Sequence, residues 1–217
     1  MAERCNVSEL VDHNLAAGRA GKVVIHWSRG RLTYGQLHGL LCATAQRLRD
    51  LGIRREERVL LAMDDSPALV AAFLGAIRIG AVPVPVNPLL QRSEDYDHYL
   101  EDSLARVVVV DESTAEKVGA AAARVSSRTG GRTAASPGIL TAEEILALGP
   151  IELDPVNTRR DDMAFWLYSS GSTGKPKAVV HLQHDIEYTC ESYARHVLGI
   201  GVDDVTFSTT KLFHAYG

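Results

Sequence analysis

From residue 58 to residue 125 the sequence repeats one pattern, a short β-branched apolar run followed by a segment with apolar residues at helical spacing. RVLLAM (58–63) and RVVVVD (106–111) are predicted to be buried strands, because successive apolar side chains leave neither face of a strand for water. Between them, Ser66-Pro67 opens a helix in which Leu69, Val70, Phe73, Leu74 and Ile77 face inward before Gly80. AVPVPV (81–86) reads as a strand that its two prolines confine to a sheet edge or to polyproline conformation. Helices are predicted over 93–104 and 114–125. Strands joined by helical crossovers pair in parallel, so the expected fold is α/β, a doubly wound, mostly parallel sheet flanked by helices.

The flanks are read in the same way. A short helix is expected over 7–20, a strand over 23–27 and a turn over 28–30. Thr33 and Gln36 form a capping box for a helix whose Leu37, Leu40, Leu41, Leu48 and Leu51 line one face until Gly52. SSRTGGRTAASPG (126–138) is poor in apolar residues and is expected to be a mobile surface loop rather than a domain boundary. Thr141 and Glu144 cap a helix over 141–148, and residues 158–162 lead to a central strand. Beyond it an amphipathic helix is expected over 185–198 and a strand over 204–210.

With 46% hydrophobic and 23% charged residues, the 217-residue chain has the make-up of a soluble globular protein. A net charge of −4 argues against non-specific binding to nucleic acid or an anionic membrane. The longest apolar stretch, 69–77, is too short to span a bilayer. Cys5, Cys42 and Cys190 are odd in number and widely spaced, which suggests neither a disulfide framework nor a zinc site and fits a reducing cytoplasm.

The chemistry concentrates in FWLYSSGSTGKPKAVVH (165–181). An apolar run, 165–168, feeds a Ser/Gly/Thr stretch, and Lys175, Pro176 and Lys177 lead into the β-branched pair Val179 and Val180. Gly171 and Gly174 let backbone approach a ligand closely, and Ser169, Ser170, Ser172 and Thr173 add hydroxyls to the amides of the turn. Such a turn can wrap a polyphosphate, with Lys177 as a point charge and Lys175 as a second candidate. A Walker-type loop is excluded, because only Ser172 and Thr173 separate Gly171 from Gly174-Lys175 and Pro176 follows. A Ser/Gly linker is the bland alternative, and two flanking apolar runs argue against it. His181 and His184 lack a third metal ligand nearby, so no metal residue is assigned, and His181 is expected to order the end of the turn. Asp64 and Asp65 precede a helix start and are read as structural.

YSSGSTGKPKAVVH resembles the signature of the adenylate-forming enzymes, which include acyl- and aryl-CoA ligases, carrier-protein adenylation domains and luciferases. The segments LTYGQL (32–37), LGIRREERVLLAMDDSP (51–67), FLGAIRIGAVPVPVNPLL (73–90) and LEDSLARVVVVD (100–111) resemble the N-terminal part of that superfamily in the same order, so the likeness covers nearly the whole chain. VVHLQHD (179–185) and KLFHAYG (211–217) are most similar to its benzoate-CoA ligase branch. Ala178 stands where the family usually has Gly, at a cost on the order of 1 kcal/mol if that residue must take a positive φ.

The resemblance implies ATP-dependent activation of a benzoate-like aryl carboxylic acid as an acyl-adenylate, then thioester formation, with ATP and Mg²⁺ as cofactors and CoA as co-substrate. It implies that Ser169, Ser170, Gly171, Ser172, Thr173, Gly174 and Lys177 hold the ATP phosphates and that Lys177 and His214 are catalytic. His214, Ala215, Tyr216 and Gly217 would border the acid pocket, although His214 could instead merely pack beside Phe213 and Tyr216. Residues 1–217 would then be the N-terminal portion of the large adenylation domain, since the family's adenine-, ribose- and metal-binding residues, its hinge and its C-terminal domain lie further along. Three readings stay open: a portion of a larger aryl-CoA-ligase-like enzyme, a half-protein completed by a companion chain, or a degenerate nucleotide-binding module. Another small oxyacid, or a carrier protein as acceptor, also stays open.

Overall fold

A computed structural model describes residues 3–129, 137–169 and 174–214. Its organising element is a parallel sheet of four short strands, β3 (Arg58–Ala62), β4 (Val82–Pro85), β5 (Val107–Val110) and β6 (Gly138–Thr141), in the spatial order β4-β3-β5-β6. Before it come helix α1 (Glu9–Ala16), the antiparallel hairpin of β1 (Val23–Trp27) and β2 (Gly30–Thr33), and helix α2 (Tyr34–Asp50). α3 (Pro67–Arg78) connects β3 to β4, α4 (Asp97–Ser103) connects β4 to β5, and α5 (Ala115–Thr129) connects β5 to β6. α6 (Ala142–Leu146) follows, then the antiparallel pair β7 (Met163–Ser169) and β8 (Lys177–Leu182), and α7 (Asp185–Thr189).

Alternation along the strands sorts the core into two layers. Val59, Leu61, Val107 and Val109 turn toward α2, α3 and α6, while Leu60, Ala62, Val108 and Val110 turn toward α4 and α5. The sheet is therefore covered on both faces, as a doubly wound fold requires. Thr33 and Gln36 bond reciprocally at the start of α2, Thr141 and Glu144 do the same for α6, and the Ser66 hydroxyl accepts from the Leu69 amide at the start of α3. α2 and α3 cross closely at Gly75, where an added Cβ would stand 2.8 Å from the Leu41 carbonyl oxygen.

β4 is the edge strand that its prolines foretold. The amides of Val82 and Val86 donate toward β3, to the carbonyls of Glu57 and Leu61 at 2.9 and 3.0 Å. Alternation points the nitrogens of Pro83 and Pro85 the other way, so the outer edge has lost its donors. β7 lies alongside β4 but pairs only with β8. It is thus not the central strand the sequence suggested, because the edge it faces cannot extend the ladder.

Three other expectations change. β6 was hidden at the end of a Gly/Ser-rich stretch, and α5 runs four residues past Val125 into that stretch. The segment 185–198 forms one short α-helix and then a π-helical stretch, Cys190–Arg195, neither with a buried residue. Residues 204–210 form no strand: among the described residues nothing pairs with them, and Val205 and Phe207 are 78% and 90% exposed.

Buried charge ties the first helix to the sheet body. The Arg78 guanidinium, 2% exposed, donates to both Asp12 carboxylate oxygens at 2.8 Å and to the Leu153 carbonyl at 2.5 Å, with the His38 imidazole against the same carboxylate at 3.2 Å. Burial works against the Asp12 anion, yet the bonds from Arg78 outweigh it and hold its carboxyl below the usual range.

Candidate functional site

β7 and β8 form the two strands expected to flank the Ser/Gly segment, and they pair antiparallel. Phe165 stands opposite His181, Tyr168 opposite Ala178 and Ser169 opposite Lys177, the last pair before the turn. The candidate residues Ser169 and Lys177 are thereby set opposite one another, Gly174 lies just before β8, and Ser170, Gly171, Ser172 and Thr173 lie outside the described residues. Gly174 has φ +86°, a conformation that an L side chain rarely adopts, and nothing stands within 4 Å of where its Cβ would be. The need for glycine there is conformational, not steric. Lys175 and Lys177 are exposed, and neither forms an ion pair among the described residues. Ala178 lies within β8, and the non-glycine residues with positive φ among those described are Glu56 and Leu104. The alanine therefore carries no strain.

The base of the hairpin rests on aromatic stacking and on Gln183. His181 lies flat on Phe165, centroids 4.6 Å apart, with Nδ1 3.3 Å from an Asp185 oxygen. Gln183, fully buried, accepts from the Val7 amide at 2.9 Å and donates to the Met163 carbonyl at 3.3 Å. His184 Nδ1 stands 2.8 Å from the Arg160 carbonyl. The two histidines thus serve the hairpin and its junction with the preceding chain.

Nearer the turn, α4 supplies contacts that no motif announced. His98 Nε2 lies 2.7 Å from the Pro176 carbonyl oxygen, and the Tyr168 hydroxyl donates to Asp102 at 2.7 Å. Tyr168 also meets Tyr99 edge-on, centroids 4.7 Å apart. Burial and the Asp102 carboxylate both push the Tyr168 phenol up, so it stays protonated and donating.

His214 is placed by a different part of the fold. The C-terminal ends of β3 and β5 carry Asp64, Asp65 and Asp111, where the crossover helices leave to opposite faces. The Asp64 amide donates to Asp111 at 2.7 Å, and burial of Asp111 is outweighed by its bonds from Ser113, Asp64 and Thr114, which hold its carboxyl below the usual range. Lys211 pairs with Asp64, and the Leu212 amide donates to Asp65 at 3.1 Å. Asp64 and Asp65 are structural, but they anchor the 211–214 segment; the cap of α3 is Ser66. The exposed His214 ring packs on Phe213, centroids 4.0 Å apart, and Ala215, Tyr216 and Gly217 lie outside the described residues. No helix among the described residues is long and apolar enough to cross a membrane.

A family model for "AMP-binding enzyme" matches residues 12–217. The benzoate–CoA ligase of Thauera aromatica is 41% identical over 218 residues, covering 99% of this chain and 41% of that protein. A solved benzoate CoA ligase from Burkholderia xenovorans LB400 gives a TM-score of 0.79 at 36% identity, over 96% of this chain and 40% of its own. The anthranilate CoA ligase AuaEII, solved with anthranoyl-AMP, gives 0.85 at 27% identity, over 98% and 40%. The chain spans about two fifths of the length of these relatives.

Proposed function

The chain belongs to the AMP-binding enzyme family, and from that premise we propose that it carries the ATP-phosphate grip, and the beginning of the acid pocket, of an aryl-acid–CoA ligase. In the proposed first step a carboxylate oxygen of a benzoate-like acid attacks the α-phosphorus of ATP, the bond from that phosphorus to the bridging oxygen breaks, and pyrophosphate leaves. The CoA sulfur then attacks the acyl carbon of the adenylate and AMP departs. Both partners in the first step are anions, so the protein's work is alignment and neutralisation of charge.

Residues of the turn from Ser169 through Ser170, Gly171, Ser172 and Thr173 to Gly174 offer amides and hydroxyls to the phosphates, and Lys177 adds positive charge. His214 serves the acid's carboxylate, with Ala215, Tyr216 and Gly217 bordering its ring. Mg²⁺ finds no protein-built site among the described residues, where no three His, Cys, Asp or Glu side chains converge. A cation entering with ATP would rely on phosphates, water or residues elsewhere. The observation that carries the reading is the hairpin with Ser169 opposite Lys177, in a chain 41% identical to a benzoate–CoA ligase.

A second reading, that a companion segment or chain must complete the site, is favoured by surface composition. Among the described residues, ten of the sixteen exposed large apolar side chains fall between Val179 and Leu212. Ala178, standing where the family usually has Gly, is the residue that would favour a degenerate module, and it lies within β8 without a positive φ. The test is pyrophosphate–ATP exchange with benzoate, measured on this chain alone and mixed with the remaining three fifths of a family enzyme. Exchange is expected only in the mixture; its absence from both overturns the proposal, and exchange by the chain alone removes the need for a companion.

A further inference from the structure

The two shoulders of the β7–β8 turn are held by one helix that lies outside the hairpin. His98 and Asp102 stand one helical turn apart on α4, and they take hold of Pro176, immediately before β8, and of Tyr168 on β7. A carbonyl can only accept, so the 2.7 Å contact to Pro176 requires that His98 Nε2 carry a proton. Pro176 has no amide with which to add a rung to the ladder, and its carbonyl is met from the side by the helix. On β7 Tyr168 is fixed twice, by its hydroxyl bond to Asp102 and by the edge of its ring against Tyr99. The helix is itself braced, since Asp97 accepts from Arg124 at 2.6 Å and from Arg128 at 2.5 Å on α5.

We propose that His98, together with Asp102 and Tyr168, is a positioning clamp that fixes the separation of Ser169 and Lys177 and so presets the turn for phosphate. The proposal rests on the reading of this turn as a nucleotide grip. None of the three need touch the nucleotide; they act through the two strands that hold it.

The experiment compares His98→Ala, His98→Gln, Tyr168→Phe and Lys177→Ala in the 217-residue chain. It measures thermal unfolding, amide exchange over 163–182 without nucleotide, and affinity for ATP with Mg²⁺ in excess. His98→Ala and Tyr168→Phe are expected to speed exchange of the rungs at Tyr168–Ala178 and Ser169–Lys177 and to weaken ATP about three- to tenfold, the loss of one hydrogen bond. His98→Gln, which keeps a donor, should restore both to within about twofold. Lys177→Ala should weaken ATP and leave exchange unchanged, separating contact from positioning. Unaltered exchange in His98→Ala, or a His98→Gln variant no better than it, overturns the clamp. Complete absence of ATP binding by the wild type, both alone and mixed with the remaining three fifths of a family enzyme, overturns the nucleotide reading instead, and exchange still decides whether the clamp holds.

Discussion

The body around the parallel sheet and the stretch from β8 onward come from one sequence of ordinary composition, yet they differ in what surrounds their apolar residues. In β3 and β5 the side chains from Val59 to Ala62 and from Val107 to Val110 are fully buried between two helical layers. Between Val179 and Leu212 the valines, the tyrosines, Leu198, Leu212 and Phe207 are exposed, and Leu182 is half-buried. Apolar patterning thus predicts burial only where the chain also supplies the opposing layer. The body buries its apolar side chains between its own layers, whereas the later stretch leaves most of its large apolar side chains exposed.

Substitutions can test that contrast. Arg78→Ala should cost about 3–5 kcal/mol in chemical unfolding, because it strands Asp12 and opens a cavity under α1. A loss below about 1 kcal/mol would mean the body tolerates disruption as the outer stretch does. Gly75→Ala should cost about 1–3 kcal/mol by forcing α2 from α3, seen as a lowered thermal midpoint. Lys177→Ala should leave the midpoint alone and weaken ATP binding by about 1–3 kcal/mol in calorimetry, the scale of a charge-assisted bond.

Acidity acts on the body as well. Asp12, Asp97 and Asp111 all have carboxyls held below their ordinary value of 3.8, so near that pH the unfolded chain binds more protons than the native one. Their stabilisation is present above about pH 4 and is lost as pH falls through the native values. Asp12→Asn should flatten that acid limb in pH-dependent melts. The smallest effect is expected from Phe207→Ser, within about 0.5 kcal/mol in unfolding, because a side chain 90% exposed gives up little burial. Its effect should appear instead in association with the complementary part of a family enzyme.

What could be read from the sequence follows the same division. Capped helices such as α2, α3 and α6, and strands such as β3 and β5, announce themselves because cap chemistry and unbroken valine runs are local signals. β6 escaped notice because four residues, GILT, become a strand only through β5 beside them. Conversely 204–210 has strand composition but, among the described residues, no strand beside it. At the site, the two strands flanking the Ser/Gly segment are legible from residue types, whereas His98 and Asp102 are not, since a histidine and an aspartate on a helix acquire meaning only when the fold sets them against Pro176 and Tyr168.

The prolines of β4 have one more effect. A chain with an apolar flank is at risk of polymerising, and an open strand edge is the usual place for another molecule to add on. In this chain β4 is not open: it is buried along its length with β7 alongside, and the nitrogens of Pro83 and Pro85 point away from β3, so that side has few donors. The β7–β8 hairpin therefore meets the sheet body through side chains and not as a fifth strand of its ladder.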